Sequence, residues 1–467
     1  MYLGRAKGFG QRFELPEYSP YLTDILPQCN KYTRSRVTLQ LIRDDIRENR
    51  INEKAVRPDD PILDEAIRRT CRAFQLPEMV KPLHLNDVFK QDLPIWSSSP
   101  GLPWTQHGYK TKGDIRKDVD AINRVRHFWH RVKTGQRMNL PDCCAFVRSH
   151  ICERGEAKVR AVWGYPATVT FGEAMFAVPL IRAYQMYRTP IAYGYETGVG
   201  GMRKIFQQFK GKHFLGIDFS KFDKTLPAWL IRIAFDILAY NVKFHEYQDY
   251  GVPVATALIR MWRVLTDYCI NTRIRMCNGE RYIKKAGLAS GSYFTQLVGS
   301  ICNHILLTYV VLKNEVMLRD ILVFGDDSII GVDERLTPDD VQVTLAPLGL
   351  VVNVAKSGYS TNISNLTFLG YQINDGFPKK AREKAIASLV WPERNDRCWD
   401  DLASRALGIL YANLGVDPYV DRICRTIVEL KPFDLALTRD QIRYLGMLKL
   451  EIKKDPPSLM DFLLRIQ

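Results

Sequence analysis

Residues 321–332, ILVFGDDSIIGV, place two apolar runs on either side of Gly325, Asp326 and Asp327. The pattern predicts a β-hairpin with carboxylates at its tip. Gly and Asp are common turn residues, so the tripeptide taken alone fits a plain turn as well as a site of chemistry. The segments around it have to decide. Upstream, KHFLGIDFS (212–220) predicts a strand that ends near Asp218, followed by a helical pattern over 226–242. Residues 286–312 contain no Asp, Glu, Lys or Arg, a run long enough to satisfy a hydropathy test for a membrane span. It also contains Ser290, Ser292, Thr295, Gln296, Ser300, Asn303 and His304, each of which would need a partner in lipid. The run is therefore expected to be a buried helix from about residue 292, with no membrane partner. Downstream, 338–348 predicts a helix and 350–354 and 366–373 predict strands, while 400–414, 418–430, 438–448 and 458–463 predict helices. The first ~100 residues mix helical patterns at 36–49 and 62–74 with Pro-rich connections.

The chain has 467 residues, with 66 Lys+Arg against 51 Asp+Glu and a net charge of +15. Hydrophobic residues at 46% and charged residues at 25% exclude a disordered chain, a collagen-like repeat and a disulfide-dense mini-protein. A length well beyond ~250–300 residues implies more than one hydrophobic core. The positive excess points to a polyanionic partner, nucleic acid or anionic lipid. Between residues 101 and 160 there are 13 Lys+Arg against 6 Asp+Glu, interleaved with Trp104, Tyr109, Phe128, Trp129 and Phe146. Such a stretch fits a solvated helix face or a nucleic-acid groove. The ten cysteines form no Cys-x-x-Cys, and the densest group, Cys143, Cys144, His150 and Cys152, matches no familiar zinc spacing. Scattered thiols behind an N-terminus without an apolar signal core suggest a reducing, intracellular setting.

Asp218, Asp326 and Asp327 all stand at expected strand ends. Carboxylates flanked by apolar strand residues are costly to hold unless a positive charge neutralises them. Mg²⁺ suits them, because it takes one or two protein carboxylates and completes its octahedron with water and phosphate oxygens. Two such ions ~4 Å apart would activate a 3′-hydroxyl and stabilise a departing pyrophosphate. Other residues accompany them in a fixed order. ERGEAKVRAVWGYP (153–166) carries Arg154, Lys158 and Arg160, cations that suit a triphosphate and equally suit a solvated strand edge. Asp223 follows Asp218 by five residues, and GLASGSYFT (287–295) opens the uncharged helix with Ser290, Gly291 and Thr295. Glycines let a loop approach a ribose-phosphate, and hydroxyls offer it neutral hydrogen bonds. Lys356 and the run Phe368, Leu369, Gly370 and Tyr371 complete the series.

In this order the sequence resembles the viral RNA-dependent RNA polymerases. Residues 96–104 look like that family's motif G, 154–166 like motif F, 218–223 like motif A, 287–303 like motif B and 324–328 like motif C. Lys356 falls where motif D has its lysine, and 368–371 look like motif E. The wording KVRAVWGYP, SGSYFTQLVGSICN and FGDDSI is most similar to the polymerases of partitiviruses, segmented double-stranded RNA viruses. The resemblance implies a mixed, helix-rich α+β fold, a closed right hand with fingers, an antiparallel palm sheet and a helical thumb. The implied divisions are fingers with an N-terminal fingertip extension over 1–211, palm over 212–226 and fingers/palm helices over 227–280. Palm follows again over 281–375, and thumb over 376–467.

Carried over, Asp218 and Asp326 would bind two Mg²⁺ ions (Mn²⁺ a possible substitute) with Asp327 assisting. Arg154, Lys158 and Arg160 would hold the triphosphate, and Asp223, Ser290, Gly291 and Thr295 would contact the nucleotide and inspect its ribose. Lys356 would be the candidate general acid, in competition with a purely structural lysine. Ser99, Pro100, Gly101, Phe368, Leu369, Gly370 and Tyr371 would lie along RNA. The implied partners are template and product RNA, ribonucleoside triphosphates and a viral capsid protein, inside virus particles in the host cytoplasm. One departure stands out: many positive-strand viral polymerases have Asn four residues after the motif B threonine, whereas Gly299 occupies that place here and the nearest Asn is Asn303. A reverse transcriptase is the enzymatic alternative, but such enzymes tend to carry a bulky ring where this chain has Asp223. A basic RNA-packaging protein is the non-enzymatic one, and it has no need of carboxylates at strand ends.

Overall fold

The computed structural model describes residues 1–466. The expected hairpin forms between the strands Leu318–Phe324 and Asp327–Val332, with Phe324 paired to Asp327 and only Gly325 and Asp326 between them. Gly325 has a φ of 64°, the positive first position of a type II′ connection, whose twist matches that of the flanking strands. His213–Gly216 pairs antiparallel with Asp327–Val332 and, along its other edge, with Gly358–Ser360. A four-stranded antiparallel sheet results.

Hydrophobic cores cover both faces of this sheet, which accounts for its uninterrupted apolar strands. Leu215, Val323 and Ile330 enter one core, and their chain neighbours Phe214, Leu322 and Ile329 enter a second. Successive strand residues point to opposite faces, so each strand feeds both. The first core contains the helix Thr295–Lys313; the second contains the C-terminal helices Arg382–Val390, Trp399–Asn413 and Pro418–Leu430. Two cores meet the expectation set by length.

Thr295–Lys313 is long and apolar enough to cross a membrane by composition, with mean hydropathy 1.4, yet 83% of that window is buried inside the fold. It packs on the helices Pro61–Ala73 and Ala228–Ala239 and on the strand Leu318–Phe324. Several of its polar side chains find partners in protein. His304 Nδ1 lies 2.7 Å from the Thr70 hydroxyl, and burial pushes its imidazole down to about 3, so the ring is neutral. A second, five-stranded sheet runs in the order Tyr2–Arg5, Glu280–Ile283, Arg273–Arg275, Cys143–Ser149 and Val159–Gly164.

Two expected strands differ. Residues 350–354 make only an isolated bridge between Val352 and Phe219, and the edge strand lies later, at Gly358–Ser360. Residues 366–373 are not one strand but a hairpin of Thr367–Phe368 and Tyr371–Gln372. Leu369 and Gly370, both at positive φ, reverse the chain between them. Among the described residues no three His, Cys, Asp or Glu side chains already converge as a metal-ligand set, and Cys143, Cys144, His150 and Cys152 form none.

The N-terminal arm crosses to the C-terminal helices. Ser19 donates its N–H to Val390 O at 2.8 Å and its hydroxyl to Asp396 at 2.6 Å. The Arg34 guanidinium donates to Trp391 O at 2.6 Å and to Ser149 O at 2.8 Å, joining three distant parts of the chain. Hydrogen bonds from a charged donor contribute ~1.5–3 kcal/mol each. Arg34→Met is therefore expected to lower the thermal midpoint and to speed proteolysis within residues 15–34; unchanged cleavage would mean that the arm is held elsewhere.

Candidate active site

The floor of the site is built at the strand ends. Asp218 lies two residues beyond His213–Gly216, and continuing the register of that strand brings it level with Asp327. Its N–H donates to the Ser357 hydroxyl at 2.9 Å and its carbonyl accepts from Asn353 N–H at 2.7 Å, so its backbone is fixed on both sides. Asp326 and Asp327 sit at the type II′ tip. Asp218, Asp223, Asp326 and Asp327 are all open to water. Three of them are nonetheless enclosed by enough protein to shift their ionisation, the signature of groups at the bottom of a deep cleft. Burial, then the charges of Asp326 and Asp218, raises Asp327 to about 7. Asp326 is raised by burial and by Asp218, with Arg160 acting the other way. Burial and Asp326 raise Asp223 to about 6.

Among the described residues none of Asp218, Asp326 and Asp327 has a salt-bridge partner. Mutually repelling carboxylates without a fixed counter-cation suit a hard divalent ion that brings its own water ligands.

One wall above the floor is cationic. Lys158 immediately precedes the strand Val159–Gly164, on which Arg160 is paired to Arg148 of Cys143–Ser149. The Lys158 ammonium is lowered by burial and then by the charges of Arg160, Lys356 and Lys384, so these cations act on one another. Lys356 is exposed. Arg154 stands apart, in the turn directly after Ile151–Glu153, and its charge acts on the Cys29 thiol instead.

Sequence reasoning missed two braces around the site. Asp45, on the helix Leu39–Arg47, accepts the Ala161 N–H at 2.8 Å and also binds the Lys224 ammonium. Glu48 takes Lys224 at 2.9 Å and Lys221 at 2.7 Å. The Arg160 strand and the Asp223 segment are thereby tied to this helix and the turn that follows it. The second brace is Glu173, buried in the helix Ala167–Met186, which accepts from the Ser292 hydroxyl at 2.5 Å and from Tyr293 N–H at 3.3 Å. Burial pushes this carboxyl up to about 8. Its one sequence signal is a lone acid among the otherwise uncharged residues 167–181.

The glycine-rich loop is committed to internal contacts. The Ser290 hydroxyl accepts Trp163 N–H at 3.2 Å, and the Thr295 hydroxyl donates to Ala289 O at 2.6 Å. A Cβ at Gly291 would lie 1.8 Å from Trp163 O, so this glycine lets the loop press on the Arg160 strand. Leu288 N–H donates to Asp223 O at 2.6 Å, seating Asp223 against the same loop. Asn303 is buried and does not face the cleft.

The expected RNA-lining residues separate into tips and anchors. Pro100 and Gly101 are buried under residues 165–167, where a Cβ at Gly101 would meet Tyr165 O at 2.9 Å, while Ser99 stays half-exposed. Lys112, itself buried, holds this loop by donating to Ser99 O at 2.6 Å and to the Ser98 hydroxyl at 3.0 Å. Phe368 and Tyr371 are core residues, the Tyr371 hydroxyl donating to Ala412 O at 2.6 Å, so their rings do not face solvent. Leu369 and Gly370 form the accessible tip. Aromatic burial outweighs exposure at both ring positions.

Residues 11–424 match the sequence model of the family described as viral RNA-dependent RNA polymerase. The chain is 27% identical over 334 residues to the RNA-directed RNA polymerase of Atkinsonella hypoxylon virus, covering 61% of this chain and 49% of that protein. It is 26% identical over 364 residues to that of Cryptosporidium parvum virus 1, covering 72% and 66%. Against that of White clover cryptic virus 1 it is 27% identical over 287 residues, covering 55% and 46%. The chain thus spans about half to two thirds of the length of these relatives. Its fold is similar to the crystal structure of the RNA-dependent RNA polymerase of a human picobirnavirus, with a TM-score of 0.62 at 18% identity, over 88% of this chain and 78% of that one. A match over most of the chain, on a closed right-hand fold, establishes that this protein belongs to the viral RNA-dependent RNA polymerase family.

Proposed function

We propose that this chain synthesises RNA on an RNA template by nucleotidyl transfer from ribonucleoside triphosphates. The observation that carries the proposal is the set of unpaired, mutually repelling carboxylates at the bottom of a cleft, faced by Lys158 and Arg160. Asp218 and Asp326, assisted by Asp327, would hold two Mg²⁺ ions, with Mn²⁺ a possible substitute. Bound there, the ions supply activation of the attacking 3′-hydroxyl and neutralise charge on the departing pyrophosphate. Lys158 and Arg160 orient the triphosphate, so that the 3′-oxygen attacks the α-phosphorus as the bond to pyrophosphate breaks. Lys356, whose charge acts on Lys158, would donate a proton to that leaving group.

Asp223 accepts a hydrogen bond from a ribose hydroxyl, as a carboxylate with two free oxygens can. A bulky ring, the usual means of excluding that hydroxyl, is absent at this position, which favours RNA over DNA synthesis. Leu369 and Gly370 support the growing strand, and Ser99 lines the path of the template. A packaging protein would gain nothing from the costly acidic floor. The partitivirus resemblance adds a capsid protein as partner, replication and transcription of a double-stranded RNA genome, and action inside particles in the host cytoplasm.

With single-stranded RNA, four ribonucleotides and Mg²⁺, the purified chain is expected to make complementary RNA, and Asp326→Ala to abolish synthesis while keeping RNA binding. Synthesis by that variant would refute the metal assignment. Asp223→Ala is expected to weaken the preference for ribonucleotides by ~1–3 kcal/mol; unchanged selectivity would place sugar recognition elsewhere. A pH dependence follows from Asp327. Its pKa in the fold, about 7, exceeds that of an unfolded carboxyl, so the folded state binds more protons between those values. This contribution to stability is present at low pH and is lost as pH rises towards 7. Mg²⁺ should therefore raise the thermal midpoint more at about pH 8 than at about pH 6. An equal increment at both would show that the metal binds elsewhere.

A further inference from the structure

The turn that carries Asp326 and Asp327 is gripped from behind by one stripe of the helix Thr295–Lys313. Asn303, fully buried, directs its amide nitrogen at three consecutive carbonyls: Gly325 O at 3.0 Å, Asp326 O at 3.1 Å and Asp327 O at 3.4 Å. One turn earlier, the Ser300 hydroxyl accepts Gly325 N–H at 2.8 Å while donating to Gln296 O at 2.7 Å. Gly299 lies on the same stripe, and a Cβ there would already be 3.5 Å from Gly325 Cα, so a longer side chain would press on the turn. Residues 296, 299, 300 and 303 recur at the spacing of a single helix face.

Three acceptors around one amide group fix its orientation, since the reversed amide would set oxygen against oxygen. The arrangement is not free of cost: Asn303 Oδ1 is buried without a partner. Such orphans are rare in native proteins and call for a reason. Here the reason is geometric. The amide turns the negative ends of three backbone dipoles away from the cleft, which leaves the two adjacent carboxylates facing into it at a fixed spacing.

We infer that Asn303, with Ser300, is a positioning residue for the metal-binding turn, setting the separation and orientation of the Asp326 and Asp327 carboxylates from the side opposite the substrate. This also gives a reason for Gly299, which leaves room for the turn to lie against the helix. The inference rests on the proposed role of those carboxylates in holding divalent cations.

The test is Mn²⁺ binding to the full chain, followed by electron paramagnetic resonance of the free ion, alongside steady-state RNA synthesis. Asn303→Leu keeps the number and branching of the side-chain heavy atoms, removes the donor and also removes the orphan oxygen. Partners that orient metal ligands are commonly worth about 10–100-fold. The variant is expected to bind Mn²⁺ about tenfold more weakly and to lose about tenfold or more in kcat, with KM for nucleotide changed less than about threefold. Wild-type Mn²⁺ affinity in a folded Asn303→Leu protein would overturn the inference, whatever its activity. Should that variant fail to fold, Ser300→Ala, which removes one bond to Gly325, carries the test. It is expected to weaken Mn²⁺ in the same direction, and unchanged binding would overturn the inference. Wild-type protein that binds no Mn²⁺, or Asp326→Ala that binds it unchanged, would instead sink the metal reading itself.

Discussion

Like charges gathered at the bottom of a cleft repel one another and resist losing water, and this chain holds four carboxylates there. The energetic strain shows in Asp327, raised to about 7, and in Asp223, raised to about 6. A fold keeps such a cluster only if the backbone leaves the acids no escape. The strand register that levels Asp218 with Asp327, the type II′ turn at Gly325 and the hydrogen bonds from Asn353 and to Ser357 provide that restraint. Two hydrophobic cores, one on each face of the sheet, hold the strands themselves.

The cationic wall is restrained by different means. Strand Val159–Gly164 sits on the second sheet, and its distance from the acidic floor is set by contacts that bridge the two. Asp45 near the end of one helix with Glu48 just beyond it, and the close approach of Gly291 to Trp163, serve that purpose. Arg160 is near enough to act on both Asp223 and Asp326. Substrate phosphates would enter between fixed positive and negative charges, with little reorganisation left for the chemical step.

Much of this was legible in the amino-acid order. The hairpin was written by two apolar runs around a turn tripeptide, and the buried helix by an uncharged stretch dotted with hydroxyls and amides. The seven motifs fall in family order over more than half of the chain. Other parts were hidden for physical reasons. Asp45 and Glu48 find their partners more than a hundred residues away, and no local pattern encodes such a pairing. The β-branched run at 350–354 has strand propensity but lies beside the sheet with a single bridge, because the edge position is filled by Gly358–Ser360. Phe368 and Tyr371 carry the motif that suggests RNA contact, yet their rings are buried and only Leu369 and Gly370 reach the surface. Asn303, eight residues after Thr295 rather than four, proves to face the backbone of the acidic turn rather than the cleft.

The most direct measurement is anomalous diffraction from crystals of the full chain soaked in Mn²⁺. The expected map has two manganese peaks about 4 Å apart, both within bonding distance of Asp218 and Asp326 oxygens. A map with no manganese between those two side chains, or with their carboxylates more than ~10 Å apart, would contradict the assignment of this cleft as a two-ion site.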